Sequence, residues 1–190
     1  MGYGMKIVAL FGKAGAGKDT VLAELMKKYK DKLNLHEIVS CTTRQPRQGE
    51  KDGVNYYFIT QNEFTKKTLN NEMLEASCFN NWWYGTPISS LDENKINIGV
   101  FNIDGLECLA ETSFDILPIY IDVPDKIRLI RQLNRENDPN CAEICRRFQT
   151  DDKDFMNFFF NSDIDFKEVE NHKNLYECVN KVADLINSYF

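Results

Sequence analysis

Histidine is almost missing from this chain: His36 and His172 are its only two, and neither stands near a cysteine at a metal-ligand spacing. Cysteine pairs are missing as well. The six cysteines, at positions 41, 78, 108, 141, 145 and 178, form no CxxC motif, and Cys141 with Cys145 on one helix face would make a poor zinc site. They read as reduced thiols of a reducing compartment, so a cytoplasmic location is expected. No apolar run is long enough for a membrane: the run 7–11 is too short for a span or for the apolar stretch of a signal peptide. A basic excess is lacking too. Lys and Arg number 23 against 29 Asp and Glu, for a net charge of -6, which makes nucleic acid a poor partner. A small anion needs only a local basic pocket and stays open.

What remains is 43% hydrophobic, enough for a sizeable core in one domain. Residues 6–11 are short, apolar and end at a glycine, as a buried parallel strand does. Residues 20–32 carry apolar positions at helical spacing. Further strands are expected at 36–39, 98–104 and 116–123. Helices are expected after 104, from 125 to about 134, from 141 to about 158, and from 174 to 190. Apolar strands alternating with helices indicate an α/β fold with a parallel central sheet. Segment 40–91 differs: it is polar, rich in turn residues and aromatics, with short strands near 56–59 and 73–76, and reads as an inserted subdomain. The core then comprises about 1–39, 92–134 and 151–190, and the remaining segment, about 135–150, opens on the polar break 135–140.

Gly12-Lys13-Ala14-Gly15-Ala16-Gly17-Lys18-Asp19-Thr20 lies between the first strand and first helix and nearly fits GxxxxGK[ST]. Glycines let backbone N–H groups face a phosphate without an intervening Cβ. The helix that follows points its positive end at the same anion. Lys18 adds a full charge for the β and γ phosphates. Asp19 stands where a hydroxyl normally reaches Mg²⁺, and Thr20 comes one place later. Metal contact by Asp19 or Thr20 is therefore expected through water.

The stretch from Ser40 to Phe58 holds Thr42, Thr43, Arg44, Arg47, Glu50, Gly53, Tyr56 and Phe58. Two arginines can grip a phosphate with bidentate forks, a tyrosine can add a phenolic donor, and Glu50 can hold an arginine in place. This spacing resembles the signature of the guanylate kinase family, and the resemblance runs over nearly the whole chain. It implies a P-loop three-layer fold and Mg²⁺-dependent transfer of the γ-phosphoryl of ATP to GMP or dGMP. Asn71 to Glu75 resembles the family segment ending in a guanine-reading glutamate; a carboxylate accepts from N1–H and N2–H₂ of guanine, and adenine offers no such pair. Ser40 matches a base-reading position. Trp83-Tyr84-Gly85-Thr86 resembles the family element that contacts GMP, which carries over Tyr84 and Thr86.

Relatives carry paired aspartates at the end of a central strand, where this chain has Asn102-Ile103-Asp104. In a strand, positions 102 and 104 face one way, so both would enter one cleft. Asp104 is then a GMP contact, and Asn102 a contact to metal-bound water. The family resemblance implies that the segment of about 135–150 is a lid. Arg131, Arg135 and Arg147 resemble the lid arginines, with Arg131 on ATP and Arg135 and Arg147 on the transferred group; Arg146 reads as a solvated neighbour. Asn161 matches a position near the adenine of ATP. Monomer and homodimer are both open. Two alternatives stand beside the kinase reading: a guanylate-kinase-like binding domain without catalysis, and a kinase for another small phosphate acceptor.

Overall fold

A computed structural model describes residues 4–190 apart from Gln48, Asn80 and Glu136, with only the backbone of Phe79. In chain order the elements are β1 (Lys6–Phe11), α1 (Lys18–Tyr29), β2 (Leu35–Glu37), β3 (Cys41–Thr42), β4 (Tyr57–Phe58), α2 (Gln61–Leu69), β5 (Met73–Phe79), β6 (Trp82–Pro87), β7 (Ile96–Val100), α3 (Ile103–Ala110), β8 (Asp115–Asp122), α4 (Asp125–Leu133), α5 (Cys141–Asn161), β9 (Lys167–Glu170) and α6 (Leu175–Tyr189).

The alternation of side chains along β1 organises the core. Val8 and Leu10 point to one face and join Val21 and Leu25 of α1 with Val179, Val182 and Ile186 of α6. Ile7, Ala9 and Phe11 point to the other and join Leu106 and Leu109 of α3 with Phe155 and Phe158 of α5. Both faces are buried, so β1 is apolar at nearly every position rather than alternating. Strand order is β2-β7-β1-β8-β9, every pairing parallel. All five strands therefore end at one edge. The loops leaving β1, β7, β8 and β9 gather there, which is where open parallel sheets bind ligands.

A second sheet, β4-β3-β6-β5, is built wholly within 40–91. Helix α2 covers it, with buried Phe64 against Trp83 at a ring separation of 5.8 Å. Thr60 and Glu63 form a reciprocal capping box at its start.

Several expectations shift. Helix α1 begins at Lys18, two residues early, so the lysine itself lies in the first turn. The strand expected over 98–104 stops at Val100, and Asn102 is the N-cap of α3. Its Oδ1 accepts from Gly105 N–H at 2.8 Å, and its Nδ2 donates to Ser77 at 2.8 Å. Asn102 and Asp104 are thus not strand neighbours on one face. Cap chemistry overrides the apolar run, because an Asn here satisfies one of the orphan N–H groups of a helix. Helix α2 and strands β6 and β9 are additional elements. Trp82, at the start of β6, is 39% exposed. The cysteines are free thiols.

Candidate active site

The phosphate loop is shaped from both sides. Gly15 has φ 81°, and a Cβ there would sit 2.6 Å from the carbonyl oxygen of Arg128, so α4 packs against the loop only because the residue is glycine. Arg131 reaches the same loop. Its guanidinium donates to the carbonyls of Gly15 (3.4 Å), Ala16 (3.3 Å) and Asn171 (2.8 Å). Asn171, buried just after β9, donates to Ala16 O at 2.8 Å. The Lys18 ammonium donates to the carbonyls of Gly12 (2.7 Å) and Lys13 (3.3 Å). Burial pushes the Lys18 pKa down; Asp19 and Asp151 oppose this, and Arg147 and Arg128 reinforce it. Lys18 therefore has an arginine of α5 for a neighbour, which isolated sequence positions could only suggest.

A second cluster of polar side chains is assembled by the second sheet. Thr42 and Thr43 lash β3 to β6: Thr42 Oγ1 donates to Trp83 O at 3.0 Å, and Trp83 N–H donates to Thr43 Oγ1 at 2.9 Å. Arg44, 5% exposed, is held by Glu50 in a two-point grip of 3.0 Å each. Glu50 also accepts from Arg47 N–H at 2.7 Å. Burial would lower the Arg44 pKa, but the bonds and charge of Glu50, with help from Tyr84, hold it above the usual value. The buried Nε of Arg44 has no partner among the described residues, and a buried donor requires an acceptor. Tyr56 and Tyr84 stand edge to face at 6.0 Å. Burial, then Asp19, pushes the Tyr56 hydroxyl up to about 12, so it stays a donor at neutral pH.

Arg47 records the convergence. Burial lowers its pKa first, then Arg44, Arg135 and Arg147 lower it further. The charges of Arg44, Arg135 and Arg147 thus all act on Arg47, an effect that an anion such as phosphate would relieve.

Glu75, Thr86 and Ser40 form a separate chain of bonds. Glu75, 8% exposed, accepts from the Thr86 hydroxyl at 2.8 Å. Thr86, fully buried, is 3.2 Å from the Ser40 hydroxyl. Burial raises the Glu75 carboxyl to about 7, with Asp104 pushing the same way and Thr86 opposing through its hydroxyl and backbone N–H. A Cβ on Gly105 would lie 2.9 Å from Asn102 Oδ1 and 3.1 Å from Glu75 Oε2, so the start of α3 passes directly beside this carboxylate.

Not every expected residue joins the site. Asn161 is exposed at the end of α5, and its amide donates to the carbonyl and side chain of Asn157. Asn171 is the asparagine that meets the phosphate loop. Asn102 has both polar atoms engaged in the protein. Arg146 pairs with Glu143 at 2.8 Å on the exposed face of α5, as a solvated side chain does. Sequence reading missed Asn171, Arg128, Asp151 and Gly105. Only Asp151 had a local signal, its four-residue spacing from Arg147 along one helix.

Sets of oxygen and cationic groups of this kind occur in known proteins. The guanylate kinase family model matches residues 4–189. A guanylate kinase of Prochlorococcus marinus (strain MIT 9312) is 33% identical over 186 residues, 95% of this chain and 96% of its own. A guanylate kinase of Schizosaccharomyces pombe is 34% identical over 149 residues, 76% of this chain and 73% of its own. The crystal structure of guanylate kinase from Anaplasma phagocytophilum superposes with a TM-score of 0.71 at 20% identity, covering 99% of this chain and 87% of that one. That likeness supports the α/β fold with its central parallel sheet. With a family match across nearly its whole length, the chain belongs to the guanylate kinase family, nucleoside monophosphate kinases that phosphorylate GMP at the expense of ATP.

Proposed function

We propose that the chain transfers the γ-phosphoryl of ATP to GMP or dGMP, with a division of labour read from the site. The observation that carries it is a family match over nearly the whole chain together with two built groups of one sheet: buried Arg44 gripped by Glu50, and buried Glu75 held by Thr86. The backbone of residues 12–20 and Lys18 hold the ATP phosphates. Arg131 and Asn171 fix the outer side of that loop. Arg44, Arg47, Tyr56 and Tyr84 hold the acceptor phosphate, with Glu50 orienting both arginines. Glu75 accepts from the guanine N1–H and N2–H₂, positioned by Thr86 and Ser40, and Asp104 lies beside it.

Arg135 and Arg147 neutralise charge on the transferred group. No general base is needed, because the acceptor phosphate oxygen is already anionic. Residues 40–91 act as the acceptor subdomain and 135–150 as the lid. Helix α5 runs unbroken through position 150, so lid movement carries core residues with it. The cytoplasm is the proposed location.

The residues suit Mg²⁺ that arrives on ATP. Asp19 and Thr20 present hard oxygen donors, both exposed, in the first turn of α1 beside Lys18, and Mg²⁺ usually takes one or two such groups with water and phosphate oxygens. Bound there, it would supply charge neutralisation on the phosphates. Asn102 is spent on its cap and on Ser77 and offers no such donor.

Two variants test the assignment. Lys18→Ala should lower kcat by roughly 10²–10³-fold with GMP binding retained. Arg47→Ala should raise the KM for GMP about tenfold while the KM for ATP holds. Unchanged turnover in the first variant, or a loss confined to ATP in the second, contradicts it.

A further inference from the structure

Helix α5 is tied to the phosphate loop by consecutive carboxylates, and one of them takes a loop N–H. Asp151 Oδ2 accepts from Ala14 N–H at 2.6 Å. Asp152 accepts from Lys13 Nζ at 2.6 Å and from Arg128 at 3.1 Å. Arg128 is 1% exposed, donates to the Ala14 carbonyl at 3.2 Å, and lies over the Phe148 ring at 4.4 Å. Its guanidinium is also 3.8 Å from Asp151. A short charge-assisted bond to a backbone amide is what such a loop makes to a phosphate oxygen. Here the anion comes from the protein.

We propose that Asp151 is an internal competitor for the phosphate loop: its carboxylate and a phosphate oxygen of ATP contend for Ala14 N–H. One N–H serves one strong acceptor, and two anions on the same donor repel. The carboxylate is tethered, so its effective concentration at the loop is high. ATP affinity is lowered by the fraction of time Asp151 holds the amide. The device also reaches the lid. Arg147 precedes Asp151 by four residues, so both leave the same face of α5, and Arg147 is a neighbour of Lys18 and Arg47. Displacing Asp151 removes one tie between the loop and the helix that carries Arg147 as the phosphates arrive. Asp152, which meets side chains rather than the amide, keeps α5 attached meanwhile.

The proposal rests on the loop taking the ATP phosphates, and calorimetry on the full chain tests both. The titrants are a non-hydrolysable imido analogue of ATP with Mg²⁺ and, separately, GMP, with wild type, Asp151→Ala and Asp151→Asn. The Kd for the analogue should fall about tenfold in Asp151→Ala and by less in Asp151→Asn, while the Kd for GMP stays within about twofold. Unchanged or weaker analogue binding in both variants, with GMP binding intact, would show that Asp151 braces the loop and overturns the proposal. Failure of wild type itself to bind the analogue overturns it by a different route, through the loop assignment. The near-isosteric Asn variant keeps the test open if the Ala variant does not fold.

Discussion

At Glu75, burial and recognition pull against each other. The side chain sits among β5, β6 and the start of α3, where its charged form is penalised and its carboxyl rises to about 7 from 4.5. Guanine would supply two N–H donors to that charged form, so binding the base draws the proton off. We therefore expect kcat/KM for GMP to rise as pH passes upward through about 7, and to lose that step in Glu75→Gln. The stability sign follows from the same shift. A carboxyl whose folded pKa is raised loses relative stability as pH climbs from its unfolded value through its folded one. Glu75→Gln keeps an acceptor for Thr86 and removes this cost. It should melt higher than wild type at pH 8, by on the order of 2 kcal/mol, with the gap narrowing toward pH 5, while kcat/KM for GMP drops at least about 10²-fold. Thermal melts at the two pH values and a rate profile check both. A lower melting point at pH 8 would mean that Glu75 is stabilised by contacts other than those of Thr86.

Among the elements, α3 shows how a short helix can place a site and how sequence can mislead. The apolar run before it reads as a strand through 104, yet Asn102 takes the cap and turns the chain into helix. Asn102→Ala should cost about 1 kcal/mol through the lost cap, with a further loss from Ser77, whereas Asn102→Asp keeps an oxygen for Gly105 N–H and should melt close to wild type. Denaturant unfolding of the two variants separates them, and equal loss in both would deny the cap its role. The glycine loop between β1 and α1 and the hold of Glu50 on Arg44 were legible because glycine and charged residues at short spacings fix local geometry. Strand β9 was not: of Lys167–Glu170 only Val169 is buried, so no apolar pattern marks it, and with it went the reason to look at Asn171. Strand β6 was hidden in the same way, since its pairing with β5 and β3 is a tertiary fact. Asp151 on the loop likewise depends on how α5 lies across α4.

Over the whole molecule, an acidic chain holds a cationic cleft. The net charge is -6, yet the charges of Arg44, Arg135 and Arg147 all bear on Arg47. Such crowding disfavours the fold until an anion enters it. GMP at a hundred times its Kd should stabilise the protein by about 2.7 kcal/mol, and added salt should shrink that gain by screening the phosphate. A melting temperature indifferent to GMP would argue that the cations do not form one site.

The central claim is that this cleft moves phosphate from ATP to guanine nucleotides and to no other base. ADP formation with ATP and Mg²⁺ tests it most directly, using GMP, dGMP, AMP, CMP and UMP as separate acceptors and Lys18→Ala as control. Turnover is expected with GMP or dGMP alone, abolished or nearly so in the control. Turnover with AMP, CMP or UMP at a comparable rate would contradict the role given to Glu75, and no turnover with any acceptor in folded protein would contradict the kinase reading and leave a nucleotide-binding domain in its place.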